Sequence, residues 1–251
     1  MPRIHHQGWY GRCKLKQRHK ILIVGDPHGN YQKVFRVIDK TKPEAVIFLG
    51  DMGLDAPLEK TLAVILDKTE VWFIHGNHDT DTDEDYDYTF GSALAHRNLH
   101  GKVVEIAGLK VAGLGGVFRS KVWHPDLGVN NGQPKWAKRE TYMHFQPSVI
   151  RRNSERYSGL PRQHHSSIWY EDVEWLSEQQ ADILVTHEAP SCHRYGFTVL
   201  DDLALTMGVE RLFHGHHHEH YQDDISNDGQ IITVEGVGLA QCKNEQGVTV
   251  R

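Results

Sequence analysis

The 251-residue sequence predicts an α/β fold, because short apolar runs of β-forming residues recur along the chain and several are followed by a helical stretch. Most of these runs end abruptly in glycine, histidine or an acid, as buried strands do where they meet a loop. Hydrophobic residues make up 39% and charged residues 24% of the chain, which excludes a disordered or low-complexity protein. We expect one domain over residues 1–251, with a basic arm at residues 1–20.

Five apolar runs predict the central strands of the fold. They are residues 21–24, 45–49, 71–74, 183–185 and 211–213. Helical spacing of Val34, Val37 and Ile38 predicts a helix over residues 31–41, which Pro43 ends. Residues 58–67 follow the second strand and predict the next helix.

Further strands are predicted outside this repeating pattern. Residues 103–106 and 110–112 are separated by Gly108, which predicts a hairpin. Residues 231–234 form one more β-forming run near the end of the chain and predict a closing strand.

Two segments depart from the pattern through their charge. Residues 79–87 are rich in aspartate and predict a solvated acidic loop. Residues 118–170 lack clean periodicity and hold nine basic against three acidic residues, although the whole chain has a net charge of −5. We interpret this second segment as a basic insertion within the domain.

The composition also narrows the location and the partners of the protein. No window holds the ~18 uninterrupted apolar residues that a membrane span needs. The three cysteines, Cys13, Cys192 and Cys242, are odd in number and widely spaced, which disfavours a disulfide framework and predicts a cytoplasmic protein. The mildly negative net charge disfavours general coating of DNA.

Polar residues that can bind metal follow the strands. They occur in the segments Gly25-Asp26-Pro27-His28, Gly50-Asp51, Gly76-Asn77-His78-Asp79, Thr186-His187 and Gly215-His216-His217-His218. We interpret them as meeting at the carboxyl ends of the strands of one sheet, where open α/β sheets gather their ligands. Carboxylate, amide and imidazole together suit divalent cations such as Mn²⁺, Fe or Zn²⁺. The cysteines lack the C-x-x-C spacing of a structural zinc site.

These five segments, in this order, resemble the motifs of the calcineurin-like metallophosphoesterases. The resemblance spans residues 21–218 and implies a four-layer αββα sandwich, with the basic insertion at about 118–170 and two divalent metal ions at the sheet edge. It implies manganese first, with Fe, Zn, Ni or Mg as alternatives. Asp51 would bridge both ions, and the remaining ligands would be Asp26, His28 and His218 for the first ion and Asn77, His187 and His216 for the second.

The resemblance also implies a mechanism. A metal-bridging hydroxide would attack phosphorus, and His78 would donate a proton to the leaving oxygen as a general acid. Asp79 has two alternative roles at this point, since it can orient the ring of His78 or cap the turn that follows.

The substrate class is less sharply predicted. The segment after Asp51 lacks the phosphate-clamping arginine that protein Ser/Thr phosphatases carry there. Arg119, Arg162 and Arg194 are candidate substitutes for binding the phosphoester substrate. The charge and aromatic residues of the insertion favour a nucleotide or nucleic-acid phosphodiester, unless its aromatics form a small core of their own.

Two alternatives stay open. One is a phosphomonoesterase acting on phosphoproteins or small phosphates. The other is a binding module that keeps the metals as a scaffold without turnover. The oligomeric state is not predicted by the sequence.

Overall fold

The computed structural model describes residues 20–126, 132–227 and 229–251. The basic arm and Cys13 therefore lie outside the described residues, apart from Lys20 at the end of the arm. Eleven strands are present in this part of the chain. They are β1 Ile21–Val24, β2 Ala45–Phe48, β3 Glu70–Phe73, β4 Lys102–Ile106, β5 Leu109–Leu114, β6 Ile183–Thr186, β7 Arg211–His214, β8 Tyr221–Asn227, β9 Gln230–Gly236, β10 Cys242–Asn244 and β11 Thr249–Val250.

The strands form two sheets. The first has the order β11-β10-β1-β2-β3, in which β1, β2 and β3 are parallel and β10 runs antiparallel to β1. The second has the order β4-β5-β6-β7-β9-β8, in which β5, β6, β7 and β9 are parallel. The predicted hairpin is confirmed as β4 and β5, and the predicted closing strand is β9.

Helices cover both sheets. Their bounds are α1 Tyr31–Thr41, α2 Leu58–Thr61, α3 Asp83–Thr89, α4 Arg139–Phe145, α5 Ser148–Asn153, α6 Tyr170–Ser177 and α7 Thr198–Met207. Short 3-10 helices lie at His78–Thr80, Ala95–Arg97, Glu155–Tyr157 and Arg162–Ser166. Helix α1 has the predicted bounds and buries the predicted face.

The second helix is shorter than predicted. The sequence predicts a helix over residues 58–67, but α2 ends at Thr61. Beyond it the chain continues in tight turns, in which the N–H of Ile65 donates to the carbonyl of Leu62 and the N–H of Lys68 to that of Ile65. These bonds span three residues rather than four, so the α-helix is not continued.

Apolar side chains point to both faces of the strands and so pack the sheets against each other and against the helices. In β1, Ile21 and Ile23 belong to the apolar cluster between the sheets, which also contains Val185 of β6 and Phe213 of β7. Leu22 and Val24 belong to the cluster beneath α1 and α2. Side chains of a strand point alternately to opposite faces, so both faces of the first sheet are buried. A third cluster covers the outer face of the second sheet with α6 and α7, which completes the predicted four-layer sandwich.

The acidic segment is not the loop that its composition predicted. Thr82 caps helix α3, its hydroxyl accepts the N–H of Asp85, and the carboxylate of Asp85 accepts the N–H of Thr82 in return. Negative side chains in the first turn of a helix also interact favourably with its dipole. Aspartates that suggest a solvated loop by their charge therefore stabilise a helix start here.

The basic insertion lies against this acidic helix. Arg156 pairs with Asp83 and Asp87, and Arg162 pairs with Asp83, whose carboxylate also accepts the hydroxyl of Tyr157 at 2.6 Å. Two arginines of the basic insertion thus pair with aspartates of the acidic segment within the molecule.

Most of the aromatic residues of the insertion are buried. Trp123, Tyr142 and Trp169 join the apolar cluster on the outer face of the second sheet. Tyr157 is buried as well, whereas Phe145 is exposed. The buried rings are therefore core residues and are not available for stacking on bases.

No helix in the described part of the chain is long and apolar enough to cross a membrane.

Trp169 is the largest fully buried side chain in this region, and its indole N–H donates to the carbonyl of His164 at 3.2 Å. We expect Trp169→Ala to lower the free energy of unfolding by about 3–5 kcal/mol, because it leaves a large cavity in the outer core. Trp175→Ala is the matched control, since Trp175 is 55% exposed on helix α6, and it is expected to cost below about 1 kcal/mol. Urea unfolding of both variants measures the difference, and equal losses would contradict the assignment of Trp169 to the core.

Candidate metal centre

The predicted ligands come from both sheets rather than from one. Asp26, Asp51 and Asn77 follow β1, β2 and β3 of the first sheet, whereas the histidines of the last two motifs follow β6 and β7 of the second. The interpretation of a single sheet edge is therefore wrong. The two sheets are stacked, and the carboxyl ends of their parallel strands meet at one end of the sandwich.

The backbone at these residues is locally strained. His28, Asp51, His216 and His218 all have positive φ angles, of 41°, 50°, 65° and 56°. A residue other than glycine pays about 1–3 kcal/mol for such a conformation, which persists where the surroundings enforce it and is concentrated at functional sites. Four of the seven predicted ligands share this feature, which the sequence does not reveal.

Two glycines let the ligands approach closely. A Cβ atom on Gly76 would lie 2.1 Å from Oδ1 of Asp51, and one on Gly215 would lie 2.2 Å from Oδ1 of Asp26. Any side chain at either position would displace a carboxylate. Gly76 and Gly215 are thus required because the site leaves no room for a side chain at these positions.

One half of the site is formed by His28, Asp51 and His218, with Asp26 beneath them. Nε2 of His28 lies 3.7 Å from Oδ2 of Asp51 and 3.1 Å from Nε2 of His218, and the latter nitrogen lies 3.5 Å from Oδ2 of Asp26. Asp26 is fully buried, and neither of its carboxylate oxygens has a hydrogen-bond partner among the described residues. A buried carboxylate without partners is costly, and a cation held between it and the imidazoles would compensate it.

The other half is formed around His187. Its Nδ1 lies 2.7 Å from the carbonyl of Leu49, to which it donates, so the lone pair of its Nε2 faces Oδ2 of Asp51 at 3.4 Å and Oδ1 of Asn77 at 3.3 Å. Three electron-rich atoms facing each other repel unless a proton or a cation lies between them. The backbone hydrogen bond also fixes the tautomer that a metal ligand requires.

The side chains thus fit two cations that share one carboxylate. Asp51, His28 and His218 offer ligand atoms that lie within 4.8 Å of one another, and so do Asp51, His187 and His216. Asp51 belongs to both groups, as the bridging role implies. A third group, which the sequence did not single out, consists of Glu188, His216 and His217.

Protonation shows how strongly the site attracts positive charge. Burial, with Asp51 nearby, raises the pKa of Asp26 to about 7. Burial by itself would lower the pKa of His187, but the carboxylates of Asp51 and Asp26 raise it above its usual value. Without a cation the site thus retains protons, and binding of divalent metal would release them.

His78 lies at the rim of the site, and its ring centroid is 5.6 Å from that of His28. Its backbone N–H donates to Oδ1 of Asp51 at 2.9 Å, and its Nδ1 lies 2.6 Å from Oδ2 of Asp81. The hydrogen bond to Asp81 raises the pKa of His78. The side chain is 54% exposed, so the ring is accessible from solvent.

Asp79 has neither of the two roles considered for it. Its buried carboxylate accepts the backbone N–H groups of Asp51, Met52 and Gly76 at 2.8–3.0 Å. It therefore fixes the loop that carries Asp51, while Asp81 contacts the ring of His78. The sequence analysis missed Asp81, although a spacing of three residues within one helical turn is a signal for such a contact.

The three candidate arginines lie in different surroundings. Arg119 is half-buried, its Nη2 donates to Oγ of Ser166 at 3.2 Å, and its buried Nε has no hydrogen-bond partner among the described residues. The carboxylates of Asp81 and Glu188 are the charges that act on it. The backbone N–H of the neighbouring Phe118 donates to Oε1 of Glu188 at 3.2 Å, and Oε2 of Glu188 lies 3.9 Å from Nε2 of His216, so Arg119 lies near the candidate metal centre.

The other two arginines have protein partners. Arg162 donates to the carbonyls of Thr80 at 3.1 Å and Asp81 at 2.7 Å, so it supports the turn that carries His78. Arg194 is 70% exposed and lies 3.8 Å from Glu219.

Comparisons with known proteins show the family and the fold of this chain. An uncharacterized protein of Haemophilus influenzae is 42% identical over 201 residues, which cover 80% of this chain and 84% of that protein. The crystal structure of TT1561 of Thermus thermophilus superposes with a TM-score of 0.52 over 93% of this chain and 97% of that chain, at 15% identity, and so shares the fold. The calcineurin-like phosphoesterase family matches residues 19–220. With four-fifths of its length inside that match, this chain belongs to the calcineurin-like phosphoesterases, which are metal-dependent phosphohydrolases.

Proposed function

We propose that this protein hydrolyses small phosphoesters with two divalent cations, and that His78 is the general acid. The observation that carries the proposal is the pair of ligand groups joined at Asp51, beside the carboxylate of Asp26, whose oxygens have no hydrogen-bond partner in the described part of the chain. Asp26, His28, Asp51 and His218 would hold the first ion. Asp51, Asn77, His187 and His216 would hold the second, and manganese is the proposed metal because of the mixed oxygen and nitrogen ligands.

The protein residues hold and orient the reacting groups. When bound, two such cations supply Lewis acidity for the phosphoryl oxygens and lower the pKa of water. Asp51 keeps both positions close, and Asp79 fixes the backbone of Asp51 from below. Nδ1–H of His187 is held by Leu49, which keeps Nε2 available as a ligand atom.

His78 and Asp81 form the proposed proton-donating pair. The carboxylate of Asp81 holds Nδ1–H of the ring, so a second proton resides on Nε2 when the imidazole is charged. This proton would pass to the leaving oxygen as the phosphorus–oxygen bond breaks. Arg119 is the proposed phosphate-binding cation, because it lies near the site and its guanidinium donates to a hydroxyl, Oγ of Ser166, rather than to a carboxylate among the described residues.

The proposed substrate is a small phosphoester rather than a nucleic-acid strand. Arg156 and Arg162 of the insertion are paired with the acidic helix α3, and Trp123, Tyr142 and Trp169 are buried in the core. These two arginines and the buried rings of the insertion are therefore engaged within the molecule rather than open to a long polyanion. The expected cytoplasmic location and the single-domain organisation stay predictions.

His78→Ala is expected to keep the metal content of the wild type and to lower kcat by about 10²–10⁴-fold for esters with poor leaving groups. Esters with good leaving groups need less protonation of the leaving oxygen, so their kcat should fall far less. Metal analysis and kinetics over a series of aryl phosphates measure both effects. Asp51→Asn is the contrasting variant, expected to lose at least one metal. If His78→Ala also lost metal, the general-acid role would be wrong.

The same substitution, aspartate to asparagine, at positions 81 and 79 distinguishes the roles of these two neighbouring carboxylates. In Asp81→Asn the amide oxygen can still accept from His78, so stability and metal content should persist while kcat for poor leaving groups falls about tenfold or more. In Asp79→Asn an amide N–H would face a backbone N–H, which should lower the free energy of unfolding by about 1–3 kcal/mol and weaken metal binding. Thermal unfolding, metal analysis and kinetics on both variants test this, and the reverse pattern would exchange the two roles.

The substrate proposal is tested with manganese-loaded protein and four substrates, namely an aryl monoester, a bis-aryl diester, single-stranded DNA and single-stranded RNA. We expect turnover of the small esters and none of the strands. Arg119→Gln should raise KM for the small esters, whereas Arg156→Gln should leave it unchanged because Arg156 faces helix α3. If the wild type cleaved the DNA or the RNA, and Arg156→Gln cleaved it more slowly, the insertion would be a nucleic-acid-binding surface after all.

A further inference from the structure

A second cavity lies away from the metal centre. Its volume is about 530 Å³, within the range of small-molecule sites, and it is walled by the loop after β3, the end of α3, the start of β4 and the insertion. None of the described residues that line it is a predicted metal ligand. The insertion contributes Arg139, Met143, Ser158, Leu160 and His165 to its walls. The cavity is therefore formed only because the insertion packs across the edges of the two sheets.

A chain of hydrogen bonds fixes the proton on one lining histidine. Oδ1 of Asn98 accepts the backbone N–H of His100 at 3.0 Å, so the amide nitrogen of Asn98 faces Nδ1 of His75, also at 3.0 Å. That nitrogen is a donor, which makes Nδ1 of His75 an acceptor and assigns its proton to Nε2. His75 is 1% exposed, and its Nε2 has no partner among the described residues. A buried donor is thus left for an acceptor that this part of the protein does not supply.

Flat side chains surround this donor. The ring of His75 lies 5.0 Å from that of Phe90 and 4.7 Å from that of His100, measured between centroids. The backbone N–H of Gly115 donates to Nδ1 of His100 at 3.1 Å, and Nε2 of the same ring lies 3.2 Å from Nη2 of Arg139 and 3.4 Å from Oδ2 of Asp172. The ring of His100 therefore has polar contacts at both nitrogens. Aromatic walls of this kind favour a planar ligand, because offset and edge contacts between rings are attractive.

Each charged group among the described lining residues already has a partner within the protein. Among the described lining residues the charged groups are Lys102, Arg139 and Asp172. Arg139 forms ion pairs with Asp172 and with the neighbouring Glu171. The ammonium group of Lys102 donates to the backbone carbonyl of Asn98 at 2.7 Å. The cavity therefore favours an uncharged ligand over a phosphate or a carboxylate.

We propose that this cavity binds an uncharged planar heterocycle that carries a hydrogen-bond acceptor, of the class and size of a nucleoside. The acceptor would displace the side chains that shield Nε2–H of His75 and satisfy this donor, and the ring would pack against Phe90 and His100. The site is separate from the metal centre and does not rest on the proposed function. A nucleoside lacks the phosphate group that the candidate metal centre would bind. Its binding to the cavity can therefore be measured separately from binding at the metal centre.

The test measures the affinity of adenosine, guanosine, cytidine and uridine by calorimetry, with metal-loaded and with metal-stripped protein, and uses ribose as the non-planar control. We expect at least one nucleoside to bind with a Kd below about 1 mM in both preparations, and ribose not to bind. If no nucleoside binds at that level, or if ribose binds equally well, the proposal is wrong.

Three variants locate the binding. His75→Phe keeps a ring but removes the donor, and should weaken binding by about tenfold or more. Phe90→Leu should weaken it by about two- to tenfold through loss of ring contacts. Phe145→Leu is the matched control, because Phe145 is 65% exposed outside the cavity, and should bind as the wild type does. Wild-type affinity in both His75→Phe and Phe90→Leu would place the ligand elsewhere.

The tautomer provides an independent readout that needs no ligand. In ¹⁵N spectra of the wild type, His75 should show the neutral form protonated at Nε2. A proton at Nδ1 would overturn the proposal even if some nucleoside bound, because no donor would then face the ligand.

Discussion

Two carboxylates, Asp26 and Asp51, lie buried where the ends of the two sheets meet, and the arrangement of the site follows from their charge. Both are almost wholly shielded from solvent. Burying a carboxylate without a compensating charge is costly, so the surrounding residues are those that can recruit and share cations. The strained backbones of His28, His216 and His218 have a physical reason here, since each places an imidazole at the site that these carboxylates form.

The loop after β3 is also held by a buried carboxylate. Asp79 lies beneath this loop and accepts backbone N–H groups from both sides of the site, from Asp51 and from Gly76. Burial, with Asp51 nearby, raises the pKa of Asp79 to about 7, so this carboxyl is also sensitive to the charge that the site holds. The position of His78 thus depends on a network that includes Asp51, because the backbone N–H of His78 donates to the carboxylate of Asp51.

Much of this could be predicted from the sequence, because apolar runs report buried strands and motif residues follow them at short range. The parallel strands, helix α1 and the family were predicted in this way. The division into two sheets was implied by the resemblance to the family but not by the apolar pattern, since a buried strand has the same pattern in either sheet. Strand β8 reads Tyr-Gln-Asp-Asp-Ile-Ser-Asn, and an exposed edge strand of this kind carries little apolar signal. The pairing of helix α3 with the insertion joins residues about seventy positions apart, and only tertiary structure reveals it.

The insertion acts on both sites through the loop between His75 and Asp81. It leaves the second sheet where the N–H of Gly116 donates to the carbonyl of His75, and Arg162 returns to hold the carbonyls of Thr80 and Asp81. One end of this loop therefore lines the cavity, and the other end presents His78 to the candidate metal centre. Exposed ion pairs such as those of Arg156 contribute little each, at about 0–1 kcal/mol. The backbone carbonyls held by Arg162 constrain the loop more directly, so the insertion is best understood as a support that keeps the proposed general acid in position.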